Sequence, residues 1–246
     1  MSIIGIIPAR YASTRFPGKP LTMIKGKSMI QRVYEQAKKA KLILEVVVAT
    51  DDERIADHVK GFGAQVIMTK ENHPSGTDRC FEAYSLIGKQ FDYIVNIQGD
   101  EPFLEPEQID SIANCCDGKT EILTQMTKCN SETVLFDQGE VKIVLNSDKE
   151  ALYFSRSVIP FLKNLPENEW HNNFDYFRHV GMYAYRSDIL EKITKLKVSP
   201  LEKAESLEQL RWLQNGYKIK CVETNFDSHC IDSPEDIEKV LRLMKH

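Results

Sequence analysis

Residues 3–21, IIGIIPARYASTRFPGKPL, constrain the fold of this chain more than any other segment. Ile3, Ile4, Ile6 and Ile7 make an apolar, β-branched run without polar alternation, the pattern of a strand covered on both faces. The run breaks at Pro8 into a loop that carries Arg10, Arg15 and Lys19 among small residues, stiffened by Pro17, Gly18 and Pro20. A buried strand that feeds a stiff loop with three cations is suited to hold a polyanion between backbone N–H groups and fixed charges. The loop has neither the G-x-x-x-x-G-K-[ST] spacing nor the G-x-G-x-x-G spacing of the common nucleotide loops. Arg10 falls at the carboxyl end of the strand, where open α/β sheets bind ligands.

The segments that follow keep alternating. Residues 28–40 place Met29, Ile30, Val33 and Ala37 on one helical face, and 44–50 read as a buried strand. Asp51 is expected to cap a helix that turns Ile55 and Val59 inward, before strands at 64–68 and 93–98. This order predicts βαβ units and a mostly parallel central sheet flanked by helices. The second half is less regular. Strands are expected at 120–128, 141–145, 178–186 and 217–224, with a polar loop over 161–176 and a helix over 201–215. A final helix starts at Ser233, where S-P-E-D supplies a cap, a first-turn proline and acids. No repeat or linker divides the 246 residues, so one α/β domain is expected, with a nucleotide-binding half at 1–116 and a second half at 117–246.

A net charge of −4 gives no basic footprint, which speaks against nucleic acid as a partner. No apolar run approaches bilayer length and no signal-peptide pattern is present, so no membrane association is expected. The six cysteines contain no C-x-x-C pair and read as reduced thiols, which suits the cytoplasm.

Asp100 follows the apolar strand in IVNIQGDEP, with Gly99 allowing the turn. A carboxylate there can hold Mg²⁺, a hard cation that takes oxygen ligands, although aspartate also commonly starts turns. Ser75-Gly76-Thr77-Asp78-Arg79 opens a helix with small hydroxylated residues that allow close approach of a nucleotide. In 178–186, His179, Gly181, Tyr183 and Tyr185 share one face by the strand period of two, a polar face unusual for pure core. Glu208 and Gln209 are expected side by side on the 201–215 helix.

The order of residues in IPARYASTRFPGKPL resembles the N-terminal signature of the sugar-nucleotide cytidylyltransferases, in the form of the 3-deoxy-manno-octulosonate (Kdo) cytidylyltransferase family. Sialic-acid members typically carry Lys-Asn where this chain has Lys19-Pro20. The similarity extends to S-G-T-D-R, to Q-G-D, to the segments 152–156, 178–185 and 207–211, and to D-S-P-E-D, and so to nearly the full length. It implies a nucleotidyltransferase fold and the reaction of CTP with Kdo, a step in lipopolysaccharide biosynthesis, by a homodimer. The alternatives are the 8-amino analogue of Kdo or another acidic sugar as substrate, or a non-catalytic nucleotide sensor. The resemblance implies nucleotide contacts from Pro8, Ala9, Arg10, Arg15, Lys19, Ser75, Thr77, Arg79 and Gln98. Arg10, Lys19 and Asp100 would be catalytic, Asp100 and Asp232 would hold Mg²⁺, and Arg156, His179, Tyr183, Glu208 and Gln209 would form the sugar site. Where the family commonly has glycine two residues before the second metal aspartate, this chain has Cys230.

Overall fold

The apolar run is the central strand of the molecule. In the computed structural model, which describes residues 1–12, 16–226, 230–231 and 233–243, it forms β1 (Ile3–Ala9). The other strands are β2 (Met23–Ile24), β3 (Lys27–Ser28), β4 (Glu45–Thr50), β5 (Val66–Met68), β6 (Tyr93–Asn96), β7 (Ile122–Lys128), β8 (Lys142–Leu145), β9 (Ala151–Ser155), β10 (Phe177–Arg186) and β11 (Ile219–Glu223). The helices are α1 (Met29–Ala37), α2 (Glu53–Gly61), α3 (Gly76–Ile87), α4 (Pro106–Ala113), α5 (Glu132–Phe136), α6 (Trp170–Asn173), α7 (Ser187–Thr194), α8 (Pro200–Glu205), α9 (Gln209–Gln214) and α10 (Pro234–Leu243).

Nine of the strands form one sheet, whose main path runs β11-β7-β10-β6-β1-β4-β5. Along it only β10 opposes its neighbours, pairing antiparallel with β6 and β7, so the sheet is mostly parallel as expected. The hairpin β8–β9 extends from β10.

Both faces of β1 are covered, and alternate residues serve different layers. Ile4 and Ile6 pack with Cys80 and Ala83 of α3 and with Ile189, Leu190 and Ile193 of α7. Ile3 and Ile7 pack with Ile30 and Val33 of α1, Ile55 and Val59 of α2, and Ile109 and Ile112 of α4. Each such fully buried aliphatic side chain contributes roughly 1.5–3 kcal/mol of transfer free energy. A smaller cluster joins the chain's two ends: Ile24, Met29 and Ile231 are buried against Phe16, Phe103 and, from α10, Ile237 and Leu241. Among the described residues no helix is long and apolar enough to cross a membrane.

The structure corrects several local expectations. α2 is capped by Asp52, whose side chain accepts from the Arg54 N–H, and Asp51 instead pairs with Arg79 at 3.2 Å. β6 ends at Asn96, so Gln98 lies in the turn beyond the strand. Helix 201–215 is broken: Ser206 adopts the left-handed conformation at φ 54°, separating α8 from α9. A bidentate pair from Arg211 to Glu202, at 2.7 and 2.5 Å, clamps the two pieces across the break. β2, β3, β9, α4, α5, α6 and α7 are additional to the elements expected, α6 falling within the stretch 161–176 expected as a loop.

The order of β1, β4, β5 and β6 sets the position of the cleft. The chain steps from β1 outward to β4 and β5, then returns to add β6 on the other side of β1. The crevice outside the carboxyl ends of β1 and β6 is therefore a topological switch point. There the backbones come close: a Cβ built on Gly99 would lie 2.9 Å from the Pro8 carbonyl oxygen. A Cβ on Gly5 meets, at the same 2.9 Å, only the end of the Ile97 side chain. Gly99→Ala is thus expected to destabilise by about 1–3 kcal/mol and by more than Gly5→Ala, because a backbone carbonyl cannot rotate away. Urea unfolding of the two variants checks this order.

Candidate active site

At the switch point lies a cleft of about 270 Å³ lined by the end of β1 (Pro8, Ala9, Arg10), the turn after β6 (Gln98, Gly99, Asp100), Lys19 and the start of α3. Gly18, at φ 71°, turns the loop so that Lys19 enters a short 3-10 turn. Lys19 Nζ donates to Asp100 Oδ2 at 2.8 Å and to the Ile231 carbonyl oxygen at 2.9 Å. The Ile231 N–H in turn donates to the Asp100 carbonyl oxygen at 3.0 Å. One ammonium thus draws the first loop, the turn after β6 and the segment before α10 to a single point. The Lys19 and Asp100 side chains are 16% and 25% exposed, so the pair is shielded yet open to the cleft.

Across the cleft, Ser75 caps α3, its side chain accepting from the Asp78 N–H. The N-terminal end of that 12-residue helix sits beside the cleft, a favourable place for phosphate. Arg79, 4% exposed, turns its guanidinium to Thr69 Oγ1 at 2.6 Å and to Asp51, tying the ends of β4 and β5 together.

A second polar region adjoins the first on the α3 side of the sheet. Gln98 Nε2 donates to the Gly181 carbonyl oxygen at 2.8 Å, linking the cleft to β10. Gly181 and Met182 form an irregularity in the pairing of β10 with β7. Because two residues are inserted, the alternation survives: His179 and Tyr183 contact each other at 5.2 Å, and Tyr183 stacks on Tyr185 at 5.7 Å. Trp212 of α9 meets both tyrosine rings edge-on. His179 Nε2 is 2.8 Å from Thr124 Oγ1. Tyr183 stands opposite both Asn96 on β6 and Thr124 on β7. Four buried atoms here, Asn96 Oδ1, Tyr183 Oη, Gln209 Nε2 and Trp212 Nε1, have no hydrogen-bond partner among the described residues. Buried polar atoms left in this state await a partner, since burial without one costs about 1–3 kcal/mol.

Three comparisons address what such a chain is. The cytidylyltransferase family model matches residues 4–219. A 3-deoxy-manno-octulosonate cytidylyltransferase of Parabacteroides distasonis is 55% identical, covering 99% of this chain and 98% of that protein. The mitochondrial enzyme of that description from Arabidopsis thaliana is 45% identical over 99% of this chain and 83% of its own. The chain belongs to the 3-deoxy-manno-octulosonate cytidylyltransferase family. It is accordingly a nucleotidyltransferase. A solved structure of CMP:2-keto-3-deoxy-manno-octonic acid synthetase complexed with CTP is similar at a TM-score of 0.91 and 40% identity, covering 100% of this chain and 99% of that one. 4-Diphosphocytidyl-2C-methyl-D-erythritol synthase of Anaerococcus prevotii, at TM-score 0.65 and 15% identity, shares the fold.

Within this cytidylyltransferase the expected residues fall in several places, and Thr77, 3% exposed, turns its hydroxyl to Glu208. Pro8, Ala9, Arg10, Lys19, Ser75, Arg79, Gln98 and Asp100 line one cleft. Arg15 and Asp232 lie outside the described residues, although the carbonyl of Ile231, next to Asp232, sits at the cleft. His179 and Tyr183 meet on the polar face, and Gln209 is buried at the start of α9, whose Trp212 covers Tyr183. Arg156, two residues past Phe154, whose ring meets that of His179, is held by Nε to the Glu205 carbonyl oxygen at 2.9 Å and Nη1 to that of Gln138 at 3.1 Å. Glu208 is the N-cap of α9 rather than a mid-helix neighbour of Gln209, and its carboxylate reaches the nucleotide loop. Thr124 and Asn96 were not singled out from the sequence. A threonine and an asparagine inside apolar strands were the available signal, and only the cross-strand register gives it meaning.

Burial and the neighbouring Arg178 charge push the His179 pKa down from 6.5 to about 3. The folded chain therefore keeps this imidazole neutral where the unfolded chain protonates it. Stability from His179 is complete above the unfolded value of about 6.5 and is lost as pH falls toward 3, with a limiting slope of about 1.4 kcal/mol per pH unit. His179→Gln should preserve a bond to Thr124 and remove that titration. The stability gap between parent and variant is then expected to narrow as pH falls from 6.5 to 4.5. Parallel curves in urea unfolding would contradict the assignment.

Proposed function

We propose that this chain transfers the cytidylyl group of CTP to 3-deoxy-manno-octulosonate, giving CMP-Kdo and diphosphate. The observation that carries the reading is the junction of Lys19, Asp100 and Ile231 facing the start of α3 at the switch point. Such a cleft supplies fixed cations, helix N–H groups and a carboxylate around a triphosphate. The full-length similarity to named Kdo cytidylyltransferases supports the choice of sugar.

In this reading Arg10 and Lys19 neutralise phosphate oxygens, and Ser75, Thr77, Arg79 and Gln98 shape the nucleotide site with Pro8 and Ala9. The sugar acid occupies the polar face of His179, Tyr183, Gln209 and Glu208, with Arg156 bordering it. Its anomeric hydroxyl oxygen attacks the α-phosphorus in line. The bond from that phosphorus to the bridging oxygen of the β-phosphate breaks, diphosphate leaves with the electron pair, and the hydroxyl proton passes to solvent. Catalysis is then mostly positioning and charge neutralisation.

The donor set also suits Mg²⁺. Asp100 presents a carboxylate already holding a cation, the Lys19 ammonium, and the described residues contain no cluster of three or more His, Cys, Asp or Glu. One or two carboxylates, with phosphate oxygens and water completing the shell, is the usual Mg²⁺ arrangement. Asp100, with Asp232, would hold the ion. Bound there, Mg²⁺ supplies orientation of the triphosphate and polarisation of the attacked phosphorus. A homodimer and a cytoplasmic setting belong to the same reading on sequence grounds.

Diphosphate release from CTP and Mg²⁺ is the test, with Kdo, its 8-amino analogue and sialic acid compared. Release with Kdo is expected. Preference for the 8-amino sugar would move the chain to a neighbouring substrate, and silence with all three would overturn the reading. Asp100→Asn is expected to abolish turnover at low Mg²⁺ with the fold intact by circular dichroism. Lys19→Ala should lower kcat/KM by roughly 10²-fold, the scale of losing one charge-stabilising group. An unchanged kcat/KM would remove Lys19 from the site.

A further inference from the structure

Glu208 was expected among the sugar-binding groups, but its carboxylate is engaged with the loop that opens α3. Ser75 Oγ lies 2.9 Å from Glu208 Oε1, sharing its proton with Asp78 Oδ2 at 2.6 Å. Thr77 Oγ1 donates to Glu208 Oε2 at 2.8 Å. Each carboxylate oxygen thus fastens one hydroxyl of the S-G-T segment. We propose that Glu208 is a positioning residue that couples occupancy of the sugar-acid pocket to the order of the nucleotide loop, so that the two substrates strengthen each other's binding. The proposal rests on the functional reading above for the identity of the two ligands.

The local structure supplies the linkage. Glu208 stands two residues past the left-handed Ser206, at the start of α9, on a junction held by the Glu202–Arg211 clamp. The next residue, Gln209, is 5% exposed and has its Nε2 partnerless among the described residues, and one turn on in the same helix Trp212 meets the rings of Tyr183 and Tyr185. An ionised carboxylate offers about four lone-pair positions, and the two loop hydroxyls take one on each oxygen. The second position on each oxygen is left for hydroxyls of a bound sugar acid, so the ligand need not displace Ser75 or Thr77. Glu208 is only partly buried, which leaves it within reach.

A sugar acid that bonds Gln209 and Glu208 would fix the start of α9. Fixing Glu208 fixes Ser75 and Thr77, and with them the first turn of α3 that faces the triphosphate. The nucleotide then meets a loop whose ordering cost has already been met, which is positive coupling, and by linkage CTP must tighten the sugar acid equally.

Equilibrium titration of CTP in Mg²⁺ buffer measures this directly. It is run without and with a sugar acid whose anomeric hydroxyl is replaced by hydrogen, so that no turnover occurs. The sugar acid is kept saturating for each variant's own affinity. In the parent chain it is expected to tighten CTP about tenfold, within the usual range of coupled sites. Glu208→Gln, whose single amide oxygen cannot take both hydroxyls in the same way, is expected to bring that ratio below about twofold. Thr77→Val, which keeps the shape and removes one bond, should do so in part and serves if the first variant fails to fold. A merely structural role would alter CTP affinity without the sugar and leave the ratio unchanged. A ratio retained in both variants, or a parent chain whose CTP affinity ignores bound sugar acid, overturns the proposal alone. A parent chain that binds no sugar acid overturns the functional reading and this proposal together.

Discussion

There is no room for a side chain at position 99. The carbonyl of Pro8 occupies the space where a Cβ would stand, so the turn after β6 passes directly over the end of β1. That approach places Gln98 and Asp100 on either side of the crossing, one toward β10 and the other toward Lys19. The cleft is the consequence. It is bounded by two parallel strand ends that the βαβ path leaves adjacent, and it is closed by whatever can reach Asp100. Lys19 does so from the first loop, and its second bond, to Ile231, brings in the segment ahead of the last helix.

Two irregularities do for the polar face what Gly99 does for the cleft. The pair of residues inserted in β10 keeps His179, Tyr183 and Tyr185 on one side while freeing the Gly181 carbonyl for Gln98. The break at Ser206 swings α9 so that Glu208 meets Ser75 and Thr77 and Trp212 covers the tyrosines. The same break leaves Glu205, the last residue of α8, to take Ser155 Oγ and the Arg156 N–H at the end of β9. Deviations from regular geometry in both places serve to aim side chains that regular elements would have pointed elsewhere.

What was readable in the amino-acid order was what depends on near neighbours. The isoleucines of β1 and the valines of β4 announce strands covered on both faces, and the periodic residues of α1 and α2 are the ones found buried. The cleft residues were readable for the same reason, because strand ends in a parallel sheet converge on one edge. The break in the 201–215 helix was not, since no glycine or proline marks it; a serine takes the left-handed turn because a clamp between Glu202 and Arg211 holds it there. Asp51 and Asp52 are equivalent candidates for a cap until Arg79 claims the first. The attachment of Glu208 to the nucleotide loop joins residues more than 130 positions apart, and no local pattern carries it.

The small cluster of Ile24, Met29, Phe103 and Ile231 with Ile237 and Leu241 of α10 has a consequence in time. A chain emerging from the ribosome can lay down β1, β4, β5 and β6 early, each beside a strand already made. The wall of the cleft at Ile231 cannot be set until α10 has left the exit tunnel and found the hairpin β2–β3, made long before it. During translation the cationic first loop therefore waits without its closing partner. Completion of the site follows the making of the sheet, so chains synthesised only as far as the sheet carry it without the finished cleft.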